Sequence, residues 1–421
     1  MAGLEKPKAA LLGLGKVGKN LLRQYANQNH SFTINLIADS KHILTKRNRQ
    51  AFSKNDVQKI VAIKDKVSST SRVSYEIAIK GCRVYEFDKL KQELSAINDL
   101  VSGSIRNWVM LDTTLLGAEG DYRIARSLMG CVAYCTGNKA PWADYDLCFS
   151  LYNEAKRNRT QLGLNNTAGV WADQMEALPI VARALRRGRV EIWKRDNSSF
   201  NSFFCKVGQG VDFARAISQI AAAGHLEITG PNALSAEVKD QTYKARIAAN
   251  ICGILRNTTP KLAKKMDSRT SAVPKSLRPA DIAAWHLDGR KLGKYPVLLT
   301  KIRMDEQELL FNVRFEQLSK EDPLSRRFLY KTAFSVRAHV NARFSWSSTP
   351  IRSTVRCYTN SDYGGAVKTA AKLLWEAERA ISLSHIPKLE DDCFPMPILC
   401  ALSVSRRDAK SLQMKLARSL R

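Results

Sequence analysis

The sequence lacks any run approaching the ~18–20 consecutive apolar residues that a helix needs to cross a bilayer, so no helical membrane anchor is expected. It also lacks a CxxC pair, and none of its six histidines has a partner at zinc-site spacing, so no metal centre is expected. The nine cysteines (Cys82, Cys131, Cys135, Cys148, Cys205, Cys252, Cys357, Cys393 and Cys400) are odd in number and follow no framework. Scattered thiols of this kind read as reduced residues in a reducing compartment. Cys131 and Cys135 fall in a strand-like run and read as buried strand cysteines. Residues Met1 to Lys8 are short, mixed in charge and run straight into a strand, unlike a signal or transit peptide; a cytoplasmic location is expected.

Acid is scarce as well. Lys and Arg total 67 against 39 Asp and Glu, a net charge of +28, with basic clusters at Lys41 to Lys54, Arg186 to Arg195, Lys261 to Arg269 and Arg406 to Arg421. Such a surface attracts anions: a dinucleotide, a carboxylate substrate or nucleic acid. Its bland alternative is a solvated basic face. No aromatic-interleaved nucleic-acid motif is present, so nucleic acid is not expected to be the main partner.

What is present is a globular composition, 44% hydrophobic and 25% charged, in a chain of 421 residues that suggests two or three domains. Ala9 to Leu12 form an apolar run ending at Gly13-Leu14-Gly15-Lys16-Val17-Gly18. Val17, Leu21, Leu22 and Tyr25 recur at helical spacing behind it, which places the glycines between a strand and an amphipathic helix. Gly13 permits the tight turn, Gly15 admits a pyrophosphate to the backbone, and Gly18 lets helix and strand pack closely. Lys16 and Val17 sit with them at the helix start, where free N–H groups face the phosphates. A second strand, Thr33 to Ala38, ends at Asp39, placed for a ribose 2′-OH and favouring NAD. Ser40, Lys41, Arg47 and Arg49 follow at once and suit a 2′-phosphate, favouring NADP; the sequence leaves both open. Further strand-like runs lie at Cys82 to Phe87, Trp108 to Thr114 and Cys131 to Thr136. The last two end in Thr113 and in Asn138-Lys139, where an open parallel sheet binds its ligands.

The glycine motif, Asp112-Thr113-Thr114 and Asn138-Lys139-Ala140-Pro141 together resemble the homoserine dehydrogenase family. The likeness continues in order through Asn197-Ser198-Ser199, Gly224 to Glu227, Asp240 to Lys244, Val313 to Leu324 and the glycine-rich Gly364 to Ala370, which includes Gly365 at the cofactor. The resemblance implies a Rossmann-type doubly wound parallel sheet plus an α+β catalytic and dimerisation domain, an α/β protein overall. It implies a nucleotide-binding domain at 1–145, a catalytic and dimerisation domain at 146–355, and a segment at 356–421 that returns to the first. NADP or NAD as cofactor, a small amino-acid substrate and a homodimer follow from the same likeness. No length remains for a fused kinase or regulatory module.

Hydride transfer to an aldehyde makes an alkoxide that needs a proton. By resemblance, Lys139 and Lys244 are the family's lysines at the reacting oxygen. Glu227 and Asp240 then bind the substrate ammonium, and Asn197 belongs to the substrate site. The bland reading of Lys139 is a solvent-facing loop lysine. That of Asp240 and Lys244 is an ordinary helix-surface pair contributing ~0.2–0.5 kcal/mol. The chain departs from the family pattern in three places. The turn after Glu227 runs Ile228 to Ala233 and is longer. A carboxylate between Glu227 and Asp240 is missing unless Glu237 replaces it. Asn166 to Trp171 stands where the family carries the glycine-rich stretch that builds a monovalent-cation site. Two alternatives to homoserine dehydrogenase therefore stay open: a related dehydrogenase whose substrate lacks the ammonium, and a non-catalytic cofactor-binding protein with a basic binding surface.

Overall fold

The computed structural model describes residues 6–47, 50–66, 72–86, 97, 105–168, 190–195, 197–222, 233–263, 279–305, 307–319, 333–338, 354–358 and 365–384. They fall into two compact units, the first within 1–170 and 366–396 and the second within 171–365 and 397–421.

The first unit opens with β1 (Lys8–Leu12), α1 (Lys16–Asn27), β2 (Thr33–Ala38) and β3 (His42–Lys46). After these come α2 (Lys54–Lys66), α3 (Arg72–Ala78), β4 (Cys82–Glu86), β5 (Trp108–Asp112) and α4 (Ala118–Leu128). β6 (Ala133–Thr136), α5 (Ala140–Ala143), α6 (Tyr145–Asn158), β7 (Gln161–Gly163) and α7 (Asn165–Ala168) complete the run. The described strands form one seven-stranded sheet in the order β4-β3-β2-β1-β5-β6-β7. From β2 to β7 every pairing is parallel, whereas β3 and β4 are antiparallel additions at one edge. β1 and β5 are buried nearly throughout, as strands covered on both faces must be, and their continuous apolar runs follow from that. The strand order reverses at β1, between β2 and β5, which puts a ligand crevice at the carboxyl ends of β1 and β5.

β3 departs from the sequence expectation. His42 to Lys46 lies inside the first basic cluster, yet its residues His42 to Thr45 are buried in a hairpin with β2.

The second unit contains β8 (Val190–Arg195), α8 (Ser198–Gly208), α9 (Phe213–Ala222), α10 (Ala233–Arg256), β9 (Pro260–Leu262) and α11 (Pro279–Lys291). β10 (Lys294–Met304), β11 (Leu309–Ser319), β12 (Ala333–Ala338) and β13 (Thr354–Tyr358) follow. Its described strands make a six-stranded sheet, β13-β12-β8-β10-β11-β9, antiparallel except for β11 with β9. Phe200, Phe203 and Phe204 on α8 meet Trp285 and Phe315 in an aromatic core on one face of this sheet.

The last described helix, α12 (Gly365–Ser384), belongs to the first unit's core, where Ala370, Leu373, Leu374, Ala377 and Ile381 join the cluster around β1 and α1. Glu378 ties it down by accepting from the Ser31 amide at 2.9 Å, from the Ser31 hydroxyl, and by pairing with His30 at 3.0 Å. Within 356–421, residues 356–358 lie instead in β13 of the second sheet. No described helix is long and apolar enough to cross a membrane.

Candidate functional site

Gly13 leaves β1 with φ +91°, a conformation that L side chains rarely adopt. A Cβ there would lie 2.7 Å from the Thr113 carbonyl, because Thr113 closes directly over the turn. Its amide donates to the Leu12 carbonyl at 2.8 Å and its hydroxyl to the Gly13 carbonyl at 2.7 Å. A Cβ on Gly18 would sit 2.1 Å from the Gly13 carbonyl oxygen, so α1 approaches the strand end only because both residues are glycine.

Gly15 behaves differently. It caps α1, and a Cβ there would meet no protein atom within 4 Å. The space before the helix is thus open, and the first amides of α1 have no intrahelical acceptor. No acidic side chain occupies that first turn, so the positive end of the helix is uncompensated there. Lys16 is exposed on the same turn, and Val17 packs against the core. Backbone donors that converge on an unobstructed space fit a pyrophosphate, and the residues present fit a dinucleotide.

Asp39 follows β2 as expected, but its carboxylate is committed elsewhere. Oδ1 accepts from the amides of Lys41 at 2.8 Å and His42 at 2.7 Å, and Oδ2 accepts from Lys64 Nζ at 2.8 Å. Burial pushes its pKa up, but the Lys64 hydrogen bond, the Lys41 amide and the charges of Lys64 and His42 together hold it below its ordinary value. Asp39 is therefore the acceptor that shapes the β2–β3 hairpin turn and anchors α2. Ser40 and Lys41, at the tip of that turn, are exposed. The pairing of Lys64 with Asp39 is not legible in the sequence, because 25 positions separate them.

At the neighbouring strand ends, Asn138 is 2% exposed and donates from Nδ2 to Thr114 Oγ1 at 3.1 Å. Lys139 follows as the N-cap of α5 and is half-buried. Cys131 and Cys135 are both buried; burial pushes the Cys131 thiol up to about 12, which leaves it inert as a nucleophile near neutrality.

In the second unit, Lys244 Nζ pairs with Asp240 Oδ2 at 2.7 Å on α10, both side chains being mostly covered. Asn197 caps α8 by accepting from the Phe200 amide at 2.8 Å and donates to Glu237 Oε2 at 3.0 Å. Glu237 sits three residues before Asp240, on the same helix. Burial pushes its pKa above the usual range against the pull of Asn197 and Lys244, and Asp240 adds to the rise. Asn197, Glu237, Asp240 and Lys244 thus form one electrostatically coupled group. Glu227, Gly224, His225 and Trp171 lie outside the described residues. Gly365 is the first residue of α12.

One expectation needs correcting. The basic cluster ending at Arg195 is not wholly a solvated surface, since Lys194 is 0% and Arg195 1% exposed. β8 is an interior strand of its sheet, and successive residues point to opposite faces, so two adjacent cations are buried only if both faces are covered. Burial pulls the Arg195 guanidinium down to about 10, and Asn201 accepts its Nε–H at 2.6 Å.

No family model matches this sequence, and no curated protein matches it. Solved structures do. A hyperthermophilic archaeal homoserine dehydrogenase in complex with NADPH is 17% identical, with 90% of this chain and 98% of that one covered at a TM-score of 0.55. A putative homoserine dehydrogenase from Archaeoglobus fulgidus is 15% identical, with 88% and 98% covered at 0.58. A Candida auris protein of unknown function is 15% identical, with 89% and 98% covered at 0.59. The likeness is one of fold. The chain has the α/β architecture shared by these proteins.

Proposed function

We propose that this chain is an NAD(P)-linked oxidoreductase of the homoserine dehydrogenase type, interconverting L-homoserine and L-aspartate 4-semialdehyde. The observation that carries the reading is the glycine turn: close contact at Gly13 and Gly18, and open space at Gly15 before an uncompensated helix end. The likeness in fold to homoserine dehydrogenases supports it, including one solved with NADPH. The bound nicotinamide supplies or accepts the hydride. Gly13, Gly15, Lys16, Val17, Gly18 and Thr113 hold the pyrophosphate side. Because the Asp39 carboxylate is taken up by its own turn, a ribose diol finds no ready acceptor there. Exposed Ser40 and Lys41 face outward instead, which favours the 2′-phosphorylated dinucleotide.

Proton transfer is assigned to the Nζ groups of Lys139 and Lys244, with Asp240 orienting the latter. Glu227, Asp240 and Asn197 are assigned to the substrate. Glu237, buried beside Asn197 and Asp240, supplies the carboxylate that the sequence pattern left in question. That favours a substrate with an ammonium group over one without. The test is direct: purified protein with homoserine and either NADP or NAD, followed by the absorbance of reduced nicotinamide. Turnover is expected, faster with NADP at limiting concentration. Absence of turnover with either dinucleotide, in folded protein, overturns the assignment.

A further inference from the structure

The buried polar groups beneath the carboxyl ends of β5 and β6 have no part in the reading above. Asp112 is 0% and Tyr134 1% exposed, on neighbouring parallel strands. Asp112 Oδ1 accepts from the Thr114 amide at 2.9 Å and the Thr114 hydroxyl at 2.7 Å, and Oδ2 accepts from the Tyr134 hydroxyl. The same Thr114 oxygen receives Asn138 Nδ2 at 3.1 Å. Asp121, 2% exposed, stands 3.2 Å from that oxygen and holds the Leu116 amide at 3.0 Å. The Asn138 amide is fixed by Thr136 Oγ1 at 3.0 Å and the Gly137 amide reaches the Asp112 carbonyl at 3.3 Å.

A fully buried carboxyl is costly: burial drives Asp112 upward, and the Tyr134, Thr114 and Asn138 hydrogen bonds oppose it. Apolar residues of matching shape would fill the same space at no such cost. What they could not do is fix direction. A hydroxyl has one proton, and with Thr114 donating to a carboxylate its lone pairs are left to accept from Asn138. The amide of Asn138 is thereby oriented, and with it the short turn that carries Lys139. This turn lies on the β5–β6 side of the switch point, the half of the sheet that receives the second mononucleotide of a bound dinucleotide.

We infer that Asp112, Thr114 and Tyr134 are positioning residues that aim the Asn138–Lys139 turn at the nicotinamide half of the cofactor. This rests on the dinucleotide reading above. Its test compares NADPH with 2′-phospho-ADP-ribose, which lacks the nicotinamide, by calorimetry on the intact protein. Wild type is expected to bind NADPH more tightly than the fragment. Thr114→Val keeps the shape and removes the hydroxyl; it should keep fragment affinity, lose about tenfold of the NADPH advantage and lower kcat about tenfold, the effect of one charge-assisted hydrogen bond. Thr114→Ser should restore both. A merely structural role would lower the melting temperature and leave that ratio unchanged. If Thr114→Val fails to fold, Tyr134→Phe, which deletes one hydroxyl, should shift the ratio in the same direction. A folded variant with the wild-type ratio and kcat overturns the inference alone. Wild type that binds neither molecule overturns the dinucleotide reading and this inference with it.

Discussion

The two units solve opposite problems with polar chemistry. In the first, the candidate functional geometry is backbone: Gly13 and Gly18 close distances that no side chain could share, while Gly15 leaves open space before α1. In the second it is side-chain charge brought under cover, with Asn197, Glu237, Asp240 and Lys244 on one side and Lys301, Arg314 and Glu316 on the sheet. A backbone site is written in local spacing and fails through sterics. A buried charge site is written in long-range pairing and fails through loss of a partner.

The sharpest test of this contrast uses one lysine from each unit. Lys139→Ala and Lys244→Ala should each lower kcat by ~10²–10⁴-fold, about 3–5 kcal/mol of barrier, while calorimetry shows dinucleotide affinity little changed. Arginine at either position should not restore turnover, since a guanidinium keeps its proton near neutral pH. Steady-state rates near wild type in both folded variants would return Lys244 to a helix ion pair and Lys139 to a loop residue.

Next in size is the second unit's buried pairing. Glu316 is 4% exposed and pairs with Lys301 at 2.8 Å and with Arg314. Glu316→Ala strands two cations in the sheet and should cost about 3–5 kcal/mol in denaturant unfolding. A loss below 1 kcal/mol would show that water reaches these groups and that the pairing is not what organises the sheet.

The first unit's backbone geometry is tested by two glycines. Gly18→Ala puts a Cβ where the Gly13 carbonyl already is, and should destabilise by about 1–3 kcal/mol through overpacking. A Cβ at Gly15 meets no protein atom within 4 Å, so in Gly15→Val stability should hold while dinucleotide affinity disappears. Equal stability losses in the two variants, with affinity retained at Gly15→Val, would break the assignment of their different roles.

The smallest effect concerns the tether of α12. Burial raises the Glu378 carboxyl, but His30 and Ser31 together hold it below its ordinary value. An acid whose folded pKa is lowered stabilises fully above its unfolded pKa, about 4.3 for glutamate. That contribution is lost as pH falls through the lower folded value. Glu378→Gln should therefore cost about 1 kcal/mol at neutral pH and flatten part of the acid side of the melting curve. An unchanged acid slope would show that the tether adds no proton-linked stability.

Local sequence determined β1, α1 and β5, because a parallel strand buried on both faces must be a continuous apolar run and a phosphate turn must be glycine at set spacing. Its resemblance to a known family also marked Lys139 and Lys244 as candidates for proton transfer. Tertiary structure decided the rest. The run His42 to Thr45 looks like part of a basic stretch until pairing with β2 buries it, and only then is Asp39 drawn into its own turn and onto Lys64. Lys194 and Arg195 read as surface until β8 is placed inside a sheet. Asn197 joins Glu237 across 40 residues, and Asn138 reaches Asp112 through a hydroxyl 24 residues away. Backbone geometry is dictated by neighbours in the chain and can be read from it. The partner of a buried charge is whichever group folding brings within about 3 Å, and nothing in the chain's order names it in advance.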